Sequence, residues 1–431
     1  MRGLSILSRF FGLLLLSGAL AVPAARAADL AIVGAKIYPA PRARPIARGT
    51  VLIHDGRIAA VGPAGRIRVP RGATIVDGRG AVVTAGFWNS HVHILTHNLL
   101  HAETRPAADL SRTLTEMFSR WGFTTVFDLA SVEDNTNLIR SRIRRGEVSG
   151  PNILTVGEPF YPPHGAPAYI RQFLRDEHLP APEVTSVPQA LERERRQIAA
   201  GADGVKLFTG AIVGGDVGVL PMDAGLATAL AEQAHRLGRP VFAHPSNAKG
   251  VEIALTSGVD ILAHAAPMMG DWTPALVARL RARRMALIPT LSLFEVEAKK
   301  FGESAADEAR DVATAVQQVG LYHAAGGEIL FGTDVGYTDL FDTDEEFRLM
   351  RRAGLDYRAI LASLTATPAR RFGYGARKGR VEAGMDADLV LLKGDPAADV
   401  IAFACVLTTI RGGAIIFSRT RQAARCLGSA P

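Results

Sequence analysis

Six residues of this 431-residue chain are of the right type and spacing to gather around metal ions: His91, His93, Lys206, His244, His264 and Asp334. His91 and His93 flank a single valine. In a strand, positions i and i+2 share a face, so both imidazoles can point one way while Val92 packs on the other side. Lys206 lies within 204–208, His244 ends 240–244, His264 ends 261–264 and Asp334 ends 329–334, each a short apolar run of strand length. Taken singly, each has an ordinary explanation: an H-x-H pair can be two polar residues at a strand end, and a lone histidine is commonly a core or loop residue. Taken together, each at the same end of its own strand, four imidazoles and a carboxylate make a nitrogen and oxygen donor set suited to zinc or a neighbouring divalent ion. Lys206 alternates with Val205 and Leu207 and so faces away from them, toward the polar mouth. Desolvation beside cations favours its neutral amine, which can take up carbon dioxide as an anionic carbamate able to bridge two ions. The other reading of Lys206 is a surface lysine, or one paired with Asp203.

Eight strand candidates must carry these residues: 82–93, 124–129, 153–156, 204–208, 240–244, 261–264, 286–289 and 329–334. Helical stretches follow them, among them 223–237, 273–283, 305–325 and 343–353. Short apolar strands alternating with longer helices are the signature of βαβ units, so the expected class is α/β and the expected fold a (β/α)8 TIM barrel with its active site at the C-terminal ends of the strands. The two ends of the chain have a different rhythm. Candidate strands at 31–37, 49–54, 57–61 and 74–77, with Asp55-Gly56 as a hairpin turn, are answered by 387–392, 406–411 and 414–417 with Gly412-Gly413 as another. The expected organisation is a composite β-sandwich from 28–84 plus 376–419, a barrel over 85–375, and a tail over 420–431.

Residues 1–27 read as a signal peptide: Arg2 and Arg9 precede the apolar run 10–22, followed by Pro23 and the small-residue triplet Ala25-Arg26-Ala27. The run is too short to span a bilayer. Cleavage near Ala27 predicts an exported, periplasmic or secreted protein with no stable membrane insertion. Loss of Arg2, Arg9 and Arg26 reduces the formal charge of +7 to +4, too weak to imply a nucleic-acid partner. The 48% hydrophobic content excludes a disordered chain, and two cysteines exclude a disulfide scaffold. Export permits Cys405 and Cys426 to bridge, while one buried thiol and one loose thiol is the equally open alternative.

Several segments resemble the amidohydrolase superfamily, in particular its imidazolonepropionase- and prolidase-like members: 84–93, which holds His91-Val92-His93; 201–206, which ends at Lys206; 242–244; 260–264; 331–334; and the closing stretches 366–369 and 379–390. The resemblance covers nearly the whole chain beyond residue 27. It implies a barrel with a composite β-sandwich, with His91, His93 and Asp334 holding a buried ion, His244 and His264 holding a second, and a carboxylated Lys206 bridging them. One departure is Asn89, where many members carry Asp. Asn89 is not an expected ligand, so the departure bears on how the H-x-H pair is oriented.

The resulting expectation is an exported hydrolase that cleaves a C–N amide bond in a dipeptide, an N-acyl amino acid or a cyclic amide. Its two divalent ions, zinc by donor type, would acidify a water molecule into a nucleophile near neutral pH. Asp334 is the expected catalytic residue, accepting the proton of that water and passing it to the leaving nitrogen. Tyr161 and His164, in the proline-rich loop 157–188, and Asn247, after His244, are candidate substrate contacts, with His97 and His101 near the mouth. Ester, lactone or phosphotriester hydrolysis on the same site is the first alternative. A non-catalytic exported metal-binding protein is the second. The expected partner is a small-molecule substrate, and a homo-oligomer is compatible with the sequence.

Overall fold

The computed structural model describes residues 29–214 and 217–420. The proposed export segment and Cys426 lie outside the described residues. Cys405 is buried and disulfide-bonded.

Eight parallel strands form the barrel: β1 (Phe87–Val92), β2 (Phe123–Asp128), β3 (Asn152–Thr155), β4 (Val205–Leu207), β5 (Val241–Ala243), β6 (Ile261–Ala263), β7 (Ala286–Ile288) and β8 (Glu328–Ile329). They pair as a three-stranded run, β1-β2-β3, and a five-stranded run, β4-β5-β6-β7-β8. Backbone hydrogen bonds stitch both seams. The Phe160 N–H donates to Lys206 O at 2.8 Å on one side, and the Ser90 N–H to Phe331 O at 2.7 Å on the other.

Period-2 alternation divides the side chains of these strands between two cores. Trp88, Phe127, Phe242, Ile261, Ala263, Ala286 and Ile288 fill the barrel interior, closed underneath by Phe372 and Tyr374. Val126, Val205, Leu207, Val241, Ala243, Leu262 and Leu287 face outward into the layer under the helices. Burying each large apolar side chain contributes roughly 1.5–3 kcal/mol, so the alternation holds the strand orientation strongly. Lys206 sits between two outward residues and opposite Phe242 in register, and therefore points inward.

Both chain ends join one eight-stranded sheet. Leu30–Ile37 pairs with Ile46–His54, Thr74–Asp77 and Val82–Ala85, and Val82–Ala85 pairs in turn with Leu389–Leu392 from the far end. Its hairpins turn at Asp55-Gly56 (φ 46° and 74°) and Gly412-Gly413 (φ 53° and 79°), the left-handed conformation that two-residue turns demand.

The run 82–93, expected as one strand, is two. Val82–Ala85 belongs to the composite sheet and Phe87–Val92 to the barrel. The break falls at Gly86, where a Cβ would lie 2.2 Å from the Thr124 hydroxyl oxygen, so the chain can pass between the layers only without a side chain. The eighth strand is shorter than 329–334, because the chain beyond Ile329 turns to bond with β1. At Gly332 a Cβ would meet Ile288 Cγ2 at 2.3 Å and His91 Cβ at 2.9 Å. The proline-rich segment expected to be irregular contains the helix Ala168–Asp176, and an unforeseen hairpin, Gly210–Gly214 with Gly218–Pro221, follows β4.

Candidate active site

All six residues meet at the C-terminal end of the barrel. His91 lies in β1 and His93 one residue past it; Lys206 lies in β4; His244 and His264 follow β5 and β6 directly. Simple alternation does not put every one of them inside. Ile261 and Ala263 face the interior, so His264 would face out with Leu262, but its φ of +123° reverses the direction. Pairing between β1 and β2 likewise slips between Asn89 and Val92, which turns the H-x-H pair inward. Asp334 (φ +61°) and Thr290 (φ +46°) are also left-handed. Such conformations are costly for residues with a Cβ and concentrate where a side chain must be aimed.

His91 Nε2 and His93 Nε2 lie 3.2 Å and 2.8 Å from Asp334 Oδ1. One donor atom from each of the three residues falls within 4.8 Å of the others. The His91 ring centroid is 4.4 Å from that of His264, which is 4.6 Å from that of His244. His91, Lys206, His264 and Asp334 are almost fully buried.

Hydrogen bonds set the imidazole tautomers. His93 Nδ1 is 3.0 Å from Ala130 O, a carbonyl that can only accept, so Nδ1 carries the proton and Nε2 presents its lone pair. The Thr290 hydroxyl donates to Pro289 O at 2.9 Å and accepts from His264 Nδ1 at 2.8 Å, which frees His264 Nε2 in the same way. Asn89 ties the H-x-H strand to the Asp334 turn. Its Nδ2 donates to Thr333 Oγ1 at 2.7 Å, and its Oδ1 accepts from the His91 N–H at 3.2 Å.

Burial pushes the pKa of His91, His244 and His264 well below the ordinary value, with the positive charge of Lys206 acting the same way, so these rings are neutral. Burial also lowers Lys206 to about 8, against the opposing pull of Asp334 and Asp128. Both ring nitrogens of His91 and Oδ1 of Asp334 are buried without a hydrogen-bond partner. Buried polar atoms are rarely left so. Neutral imidazole lone pairs facing a carboxylate oxygen are the donor set of a divalent metal, and the residues present fit one.

A cavity of about 460 Å³ opens above these residues, with His93, Lys206, His244, His264 and Asp334 on its floor. Tyr161 lines it, stacked on Phe208 at 3.9 Å between centroids. The other candidate contacts are not brought to it. His164 is exposed with φ +63° and does not line the cavity. Asn247 caps the helix Ala248–Thr256, its side chain accepting from the Gly250 N–H at 3.0 Å. His97 and His101 are exposed and also lie off the cavity.

Sequence reasoning passed over two features. Asp128, at the end of β2, is fully buried and accepts from Thr155 Oγ1 at 2.5 Å, Ile94 N–H at 3.1 Å and the Ser131 hydroxyl. Its strand-end position was the available signal. Glu297, Lys300 and Tyr337 line the cavity from segments whose pattern is that of ordinary helix and loop.

A (β/α)8 barrel with this donor set at its mouth has the architecture of a metal-dependent hydrolase. The amidohydrolase family profile matches residues 82–416. The chain belongs to the amidohydrolase family, whose members are metal-dependent hydrolases acting on C–N bonds. Adenine deaminase 2 of Bradyrhizobium sp. (strain ORS 278) is 33% identical over 108 residues, 25% of this chain and only 18% of that protein. A putative prolidase from Bifidobacterium longum superposes with a TM-score of 0.75 at 25% identity, over 92% of this chain and 97% of that one. A Xaa-Pro dipeptidase with bound methionine in its active site gives 0.76 at 21%, over 91% and 100%, a likeness of fold. Among the described residues, no helix is long and apolar enough to cross a membrane.

Proposed function

We propose that this protein is an exported hydrolase that cleaves the C–N amide bond of a small molecule, with a dipeptide, an N-acyl amino acid or a cyclic amide as substrate. The observation that carries the reading is the convergence of His93, Lys206, His244, His264 and Asp334 on the floor of one cavity, with the buried His91 3.2 Å from Asp334 Oδ1. Two divalent ions, zinc by donor type, are the proposed cofactors. His91, His93 and Asp334 would hold one and His244 and His264 the other, with Lys206 bridging as its carbamate. Bound there, the metal supplies an acidified water and polarises the scissile carbonyl.

The chain's own residues do the rest. Thr290 and the Ala130 carbonyl keep Nε2 of His264 and His93 aimed at the floor. Asp334, within reach of both H-x-H rings, accepts the proton of the attacking water and delivers it to the leaving nitrogen. The largely apolar walls lower the local polarity and strengthen each of these charge interactions. Export rests on the order of basic, apolar and small residues in 1–27.

The test is a hydrolysis screen of dipeptides, N-acyl amino acids, lactones and phosphotriesters with zinc-loaded protein. Release of amine from one amide class is the expected outcome. Turnover of lactones or phosphotriesters with no amine released from any amide would replace this reading.

A further inference from the structure

The cavity holds a second polar group that hydrolysis does not require. Glu297, on the helix Leu293–Phe301 that follows β7, lines the cavity wall together with Tyr169, Lys300 and Tyr337. Tyr337 O–H donates to Glu297 Oε1 at 3.2 Å. Among the described residues no lysine, arginine or histidine forms an ion pair with this carboxylate. Lys300, one turn further along the helix, sends its ammonium elsewhere: 4.2 Å from the centroid of the Tyr337 ring and 5.3 Å from that of Tyr169.

We propose that Glu297 is a specificity-determining residue that receives the ammonium group of the substrate, so that the cavity selects amides carrying a free amino group beside an apolar side chain. This inference rests on the amide-hydrolase reading above. A carboxylate and two aromatic faces in one wall are complementary to an ammonium, through a charge-assisted hydrogen bond and cation–π attraction. The Lys300 ammonium over both rings shows that these faces attract a cation. The remaining lining, with Tyr161, Phe173, Phe208, Ile212 and Phe301, offers no other acidic side chain apart from Asp334 on the floor. Burial, reinforced by the Asp334 charge, pushes the Glu297 carboxyl up to about 7 against the opposing pull of the Tyr337 hydrogen bond and the Lys300 charge, the condition of an acid without a direct ion pair. A neutral or N-blocked substrate leaves that group uncompensated, whereas an ammonium supplies the missing charge.

The experiment uses zinc-loaded full-length protein and its Glu297→Gln variant, with Glu297→Asp as a conservative control and circular dichroism as a check of folding. For a dipeptide with an apolar first residue and its N-acetyl form, the wild type is expected to favour the free amine in kcat/KM. Glu297→Gln should reduce that preference by about 10- to 100-fold, chiefly through KM, and Glu297→Asp should restore part of it. Equal use of both forms by the wild type, or an unchanged preference in Glu297→Gln, overturns the proposal while leaving amide hydrolysis standing. If neither form is cleaved, the substrate screen above decides the amide-hydrolase reading, and calorimetric binding of 2-phenylethylamine against 3-phenylpropionate decides the role of Glu297. Tighter binding of the amine that is lost in Glu297→Gln supports it; the same affinities in both proteins refute it.

Discussion

The two halves of the proposed metal floor are built from similar rings but differ in charge. His91 and His93 share a carboxylate, with Asp334 Oδ1 within 3.2 Å of both. Among the described residues His244 and His264 pair with no carboxylate, and Lys206 lowers the pKa of each. The first half is a complete three-donor site as folded. The second becomes one only if Lys206 exchanges its positive charge for a negative one. The two rings are neutral, so only a Lys206 ammonium repels a cation there, and the order in which the halves fill should follow from the state of that one amine.

Breaking the complete half is the largest perturbation. His93→Ala is expected to lose the buried ion and at least about a thousandfold in rate, read by metal analysis beside a hydrolysis assay. Retention of both ions and of turnover would mean that the halves are not distinct. Lys206→Ala separates them more selectively: metal content should fall from two equivalents to about one, with the survivor in the His91, His93 and Asp334 half. Two equivalents in this variant would refute the bridge. Removal of a partner behind the rings is gentler. Thr290→Val takes the acceptor from His264 Nδ1 and should weaken the second ion by roughly 10- to 100-fold in competition with a chelator.

The smallest effect lies outside both halves. Glu194, buried in the helix layer and held by Gln233 Nε2 at 2.6 Å, has its pKa raised to about 7 by burial. The folded protein therefore binds this proton more tightly than the unfolded chain. The contribution is complete below about pH 4.5 and is lost as pH rises through about 7. Glu194→Gln should flatten this part of the pH dependence of thermal stability by roughly 1 kcal/mol between pH 5 and 8, with metal content unchanged.

The strand ends were readable because they obey a local rule. A run such as 204–208 states by alternation that Val205 and Leu207 share one face and Lys206 takes the other, and the packing agrees. His91 and His93 share a face for the same reason, although the slip between Asn89 and Val92 decides that this face is the inner one. Asn247 shows the limit of proximity in sequence: three residues from His244, it serves the next helix as its cap. Glu297 shows the opposite limit, since a helical glutamate carries no mark of the cavity it will line.

The amino-acid order by itself determined the donor types, their place at strand ends and the α/β rhythm that repeats them, because periodicity and residue chemistry act over a few neighbouring residues. Tertiary structure alone decided how the donors are aimed and what surrounds them. The bond from Asn89 to Thr333 spans 244 residues, His264 turns inward only through a left-handed backbone, and the carboxylate of Glu297 reaches the same cavity from another helix. Such contacts depend on closure of the barrel, which brings distant segments together at a defined register, and no local pattern records that register.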